Sequence, residues 1–274
     1  MFLLLSAAMM ITFGSCTPKE PDLKRTDYLK LVQSTVDMTS AKADKTLTRK
    51  GFVATDASIR SDGLEALVTD KTYKFQSKDS TVVLHVGLEI KNDTVKQYVL
   101  TAELDGTSHT KEAQKLYNDW SSYAYNTIFA DISLWTATVF DENSNDDYGT
   151  YFIDGPWGSM IKSLLDMYHM TGEMDEETYQ ALKKAFERKR GDFEAEMTSQ
   201  TFLQKEGDIF ETYVHATGTP DLSALMTGNM SSLKGKVGAM TALASGEGEN
   251  KRWRMTFVYM NEQDMSKIME NLPF

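Results

Sequence analysis

Histidine is the side chain that most readily moves a proton near neutral pH or ligates a metal. This chain holds four: His85, His109, His169 and His215. No two of them are spaced to share a helix turn or face each other across one hairpin, so no zinc motif of the His-Glu-x-x-His kind can be drawn. His85 and His215 fall on the less apolar faces of two predicted strands and would converge only if those strands were neighbours. Residues 141–147 place Asp141, Asn143 and Asn145 at the first, third and fifth positions of a calcium loop. The pattern then fails, because Asp146 stands where the turn needs Gly and Phe152 where the bidentate Glu belongs. A solvated hairpin tip is the better reading, with weak calcium binding as its rival. Between Gly228 and Lys236 a phosphate loop is also incomplete, with Met230 in place of a required Gly and Val237 in place of Ser or Thr. There is no Gly-x-Ser-x-Gly elbow. Carboxylate pairs carry no information in a chain with 40 acidic residues. No catalytic residue, metal site or cofactor is therefore assigned.

Binding chemistry has a clearer signal. Eleven of the 29 aromatic side chains fall between residues 117 and 157. Flat rings stack on sugars and anchor protein interfaces, so this cluster is the best candidate for a binding surface. Trp120 lies on the apolar stripe of its predicted helix and belongs to the core. Tyr123 and Tyr125 fall off that stripe and Trp157 follows a turn, so these three are expected to be exposed and to touch a ligand. Core packing is the simpler account of the cluster as a whole. Residues 231–249, rich in Gly, Ser, Ala and Met, read as a loose loop or a flap over a site.

The N-terminus suggests an address. Residues 2–13 form an uncharged apolar run too short to span a bilayer, followed by Gly14, Ser15 and the chain's only cysteine, Cys16. This arrangement resembles the lipobox of bacterial lipoprotein precursors, with Phe13 where Leu is usual and no basic residue before the apolar run. The resemblance implies cleavage before Cys16, a lipid on its thiol and anchoring to a bacterial membrane. Thr17, in place of an inner-membrane retention Asp, favours the outer membrane. The polar, Pro-bearing stretch 17–22 suits an extended tether. The formal charge of −11 opposes nucleic acid as a partner. The partners implied are the membrane itself and a glycan or another envelope protein.

The elements that must position any site are legible from periodicity. Residues 27–50 predict one or two short helices closed by Gly51. Residues 81–90 and 95–104 alternate as the two strands of a hairpin, and a helix over 110–126 would lay its stripe on that sheet. Two strands, 132–140 and 148–153, precede a break at Gly155-Pro156. Beyond it come a helix around Met160–Tyr168, a longer one from Asp175 through Met197, strands at 209–216 and 252–260, and a short helix around Met265–Leu272. Residues 47–52 with the strands after them are similar in style to small α+β units of uncharacterised Gram-negative envelope lipoproteins.

The expected architecture is α+β: a signal peptide (1–15), a tether (16–26), and two lobes of mainly antiparallel sheet packed by helices (27–155 and 156–274), a degenerate duplication or one continuous domain. The expected function is a lipid-anchored envelope protein acting through binding, with an exported hydrolase as the alternative.

Overall fold

The structure is a computed structural model that describes residues 23–24, 27–56, 70–78, 81–105, 110–140, 150–198, 208–218, 234–245 and 252–264. Two short helices, α1 (Tyr28–Gln33) and α2 (Ser40–Thr48), lead into strands β1 (Val53–Thr55), β2 (Lys71–Gln76), β3 (Val82–Lys91) and β4 (Thr94–Asp105). Gly51 at φ 88° ends the helical stretch, in the left-handed region glycine tolerates best. The β3–β4 hairpin turns through Asn92 and Asp93, both with positive φ, the geometry whose twist matches that of the flanking strands. Helix α3 (Thr110–Tyr123) follows, ending in a π-helical turn (Ala124–Ile128), then β5 (Leu134–Phe140) and β6 (Thr150–Asp154). Three helices come next, α4 (Pro156–Thr171), α5 (Glu176–Glu187) and α6 (Arg190–Thr198), and finally β7 (Asp208–Thr217), β8 (Lys234–Ser245) and β9 (Arg252–Asp264).

All nine strands join one antiparallel sheet in the order β1-β2-β3-β4-β9-β8-β7-β5-β6. The class is therefore α+β, as the sequence implies. The strands expected for two lobes meet along β4 and β9, paired from Gln97↔Met260 to Asp105↔Arg252. The topology adds no support for a duplication. The order also separates β3 from β7 by three strands, so His85 and His215 do not converge.

One sheet face carries the main core. Register aligns Tyr98, Tyr259, Gly238, Tyr213 and Trp135 in a row across five strands. The row is aromatic except at Gly238, and there Phe129 fills the gap from above. A Cβ at Gly238 would lie 2.7 Å from the Phe129 ring, which stacks on Tyr213 with centroids 5.4 Å apart. Strand β8 was expected to be a loop. Its run of small residues hides the alternation that marks a strand, and smallness at Gly238 is what makes room for Phe129. Helices α1, α2, α3 and α6 contribute Leu29, Leu47, Leu116, Trp120, Phe193 and Met197 to the same core.

The other face holds a smaller cluster in which Trp157 of α4 packs on Leu134, Val214 and Val237. Gly155 at φ 100° lets the chain turn against Ser133, whose carbonyl would lie 2.8 Å from an added Cβ, and Pro156 starts α4. The long helix expected from Asp175 to Met197 is two helices. Arg188 leaves helical geometry, and Asp192 Oδ2 accepts from Lys189 N at 2.8 Å to begin α6. The edge strand secures this break: Asp154 Oδ2 accepts from Arg190 N at 3.2 Å. The short helix around Met265–Leu272 lies outside the described residues.

Candidate functional site

The break between α5 and α6 delivers Arg190 into the core, where it meets Glu211. On β7, Glu211 shares with Ile209 and Tyr213 the face toward the main core, with Met240 of β8 and Ala137 of β5 as its cross-strand neighbours. Its carboxylate is fully buried and collects four donors. Oε1 accepts from the Tyr117 hydroxyl. Oε2 accepts from Trp135 Nε1 at 2.9 Å, from the Tyr213 hydroxyl at 2.7 Å and from Arg190 Nη1 at 2.5 Å. Three of the four donors crowd Oε2 and one reaches Oε1, so most of the roughly four lone-pair sites of the carboxylate are engaged inside the core.

Arg190 is held as firmly. Its side chain is 7% exposed. Nη2 donates to Ser121 Oγ at 2.7 Å and Nε to Glu194 Oε1 at 3.1 Å. The rings of Tyr125, Trp135 and Phe193 surround the guanidinium at 4.9, 4.9 and 5.2 Å. Burial opposes its charge, but Glu211 first, then Tyr213, Tyr117 and Glu194, outweigh that and raise its pKa above the ordinary value. Burial, reinforced by Glu211, pushes the hydroxyls of Tyr117 and Tyr213 well above the usual tyrosine range. The cluster is thus built to keep its protons: Arg190 stays cationic and both phenols stay neutral.

Above the pair, between α3 and α6, opens a cleft of about 200 Å³ lined by Asn118, Ser121, Ser122, Arg190, Phe193, Glu194 and Met197. One wall, from α3, is hydroxyl and amide. The opposite wall, from α6, has the apolar Phe193 and Met197 beside Glu194.

The three aromatic residues expected to form one exposed site are separated. Tyr125 is half-buried and borders Arg190, meeting Trp135 edge-on at 6.1 Å. Tyr123 is also half-buried, and its hydroxyl adds to the rise in the Tyr98 pKa, which burial and then Tyr259 dominate. Trp157, expected to be exposed, is 3% exposed on the far side of the sheet. The turn before it is real, but α4 begins at once and carries the ring onto β5 and β7. Cys16, His109 and the calcium candidate Asp141, Asn143 and Asn145 lie outside the described residues.

The remaining histidines serve local roles. His215 Nδ1 pairs with the Asp131 carbonyl at 2.5 Å, and His169 stacks on Tyr179 at 3.8 Å while Nε2 meets Glu176 at 2.7 Å. His85 is lowered in pKa chiefly by burial. Among the described residues, no three His, Cys, Asp or Glu side chains are grouped to hold a metal, and no helix is long and apolar enough to cross a membrane.

Sequence reasoning missed Arg190 and Glu211. The available signal was an acid on the apolar face of a strand, Glu211 between Ile209 and Tyr213. Fold and site define an α+β protein with one open antiparallel sheet whose buried ion pair floors a small polar cleft. The chain matches no known family model, no curated protein and no solved structure.

Proposed function

We propose that this chain is a lipid-anchored protein of a bacterial cell envelope that acts by binding, without chemistry of its own, and that its ligand seats in the cleft between α3 and α6. The observation that carries the binding reading is the burial of Glu211 beneath Arg190, with four donors on its carboxylate. A general acid or base must exchange a proton with a substrate within hydrogen-bond reach. Glu211 is fully buried among four donors, and it is Arg190, not Glu211, that lines the cleft. A buried pair so fully bonded makes a rigid floor, and rigidity lowers the entropic cost of binding. The anchor rests on the lipobox-like Gly14-Ser15-Cys16. The exported hydrolase is the weaker reading, because it needs two carboxylates in opposed environments facing one pocket, and among the described residues the cleft is lined by one, Glu194.

The anchor is tested by mass spectrometry of the full chain from the membrane fraction of a bacterial host, beside Cys16→Ser. An acylated N-terminus at Cys16, lost in the variant, is expected; an unmodified cytoplasmic chain would overturn it. The cleft is tested with Ser122→Trp, which fills the mouth from an exposed position. This variant should fold normally and lose binding to solubilised envelope material. Undiminished binding would move the site elsewhere.

A further inference from the structure

The composition of the cleft narrows what it can hold. A typical ligand pocket measures roughly 300–1,000 Å³, whereas this one measures about 200 Å³. It has room for one ring-sized group of a larger molecule. Its charge balance excludes most ionic groups. An oxyanion approaching Arg190 would meet Glu194 and, behind it, Glu211, with Asp154 bonded to the same residue's backbone. A cation would need a carboxylate, but Glu211 is buried beneath Arg190 and Glu194 already serves Arg190.

Neutral hydrogen-bonding capacity, in contrast, is left over. A guanidinium carries five N–H donors. Three are engaged, one each on Glu211, Ser121 and Glu194, so two remain. Arg190 itself lines the cleft, so a guest there is within reach of the guanidinium. Ser122 Oγ accepts from Asn126 Nδ2 at 3.1 Å, which leaves its own hydroxyl proton to donate. Asn118 adds a half-buried amide. Opposite this polar wall stand Phe193 and Met197.

A guest that is neutral, ring-sized, rimmed with hydroxyls and apolar on one face has the character of a sugar ring. We infer that the cleft takes a single neutral pyranose ring of an envelope glycan, an inference that rests on the binding reading of this cleft. Arg190 and Ser122 donate to its ring or acyl oxygens, Asn118 accepts from its hydroxyls, and its C–H face lies on Phe193 and Met197.

The test uses the full chain in detergent, labelled with ¹³C at the methionine methyls, and follows Met197 against Met255, which lies in the core of β9. N-acetylglucosamine and its neutral β-linked disaccharide should shift Met197 saturably in the millimolar range. Glucuronate and glucosamine, rings of the same size with opposite charges, should bind about tenfold more weakly or less. Ser122→Trp should abolish the sugar response and leave Met255 unmoved. Charged rings binding as well as neutral ones would overturn the inference. If solubilised envelope material moves Met197 and no sugar does, the sugar assignment falls and the binding reading stands. If nothing moves Met197, both fall.

Discussion

At the scale of residues, the cost of keeping Arg190 and Glu211 out of water is met by the ion pair together with three further donors on Glu211. Removing one partner leaves the other charged and stranded. Arg190→Met should therefore destabilise the protein by about 3–5 kcal/mol, and Glu211→Leu by a similar amount, since it also orphans Tyr117, Tyr213 and Trp135. The double variant should cost less than the two singles together, measured by chemical denaturation as a coupling energy. Strict additivity would mean that the pair is not coupled in the folded state. The phenols around Glu211 predict the response to base. Tyr117 and Tyr213 have folded pKa values raised well above 10.0, so above that pH the unfolded chain loses these protons while the native one keeps them. Stability is fully present below pH 10.0 and falls as pH rises past it, since the unfolded state then binds fewer protons than the native. Tyr117→Phe should be less stable at neutral pH but flatten the alkaline decline, a change visible in denaturation midpoints between neutral and alkaline buffer.

At the scale of elements, β3, β4, β7 and β9 are legible in the sequence because their large apolar residues alternate, and β5 and β6 because they flank a polar loop before Gly155-Pro156. β8 was not, although it sits between two of them, because Gly235, Gly238, Ala239, Ala242 and Ala244 are small on both faces. Its identity depends on Phe129, more than a hundred positions earlier, filling the space that its own side chains leave. The α5–α6 break was hidden for a similar reason. Neither Gly nor Pro stands between Tyr179 and Arg190, Gly191 falls inside α6 just past the break, and Asp154 on an edge strand accepts from Arg190 N there. The site inherits this opacity, since Arg190 and Glu211 lie on different elements with only an odd acid on an apolar face to mark them. Tyr125 falls off the stripe of α3, yet the π-helical turn lays it half-buried beside Arg190. Gly238→Ala tests the account of β8. The new methyl meets the Phe129 ring and should cost about 1–3 kcal/mol by overpacking, most of it recovered in combination with Phe129→Leu. A neutral effect would show that Phe129 can move away freely.

At the scale of the molecule, the seam between β4 and β9 decides whether the chain behaves as one unit or two. Gly155-Pro156 has the local character of a boundary, and the sequence before and after it has the composition of separate lobes. Yet strands from both sides share nine register pairs along that seam, and α3, encoded before the break, packs with α6, encoded after it, around Glu211. Neither half can keep its core if the other leaves: the first would expose Leu100 and Ala102 of β4, and the second would expose Met255 and Phe257 of β9, all now fully buried. Exposed apolar surface of that extent is unfavourable by about 25 cal/mol per Å², so unfolding of one half should drag the other with it. Heating should give one transition, coincident by tryptophan fluorescence and far-ultraviolet circular dichroism, with calorimetric and van't Hoff enthalpies equal. Two separable transitions, or a protease fragment of residues 27–155 that keeps a cooperative melt, would mean that the seam is a contact between independent lobes. The Arg190–Glu211 floor would then be a bridge between them, and its variants would shift one transition without the other.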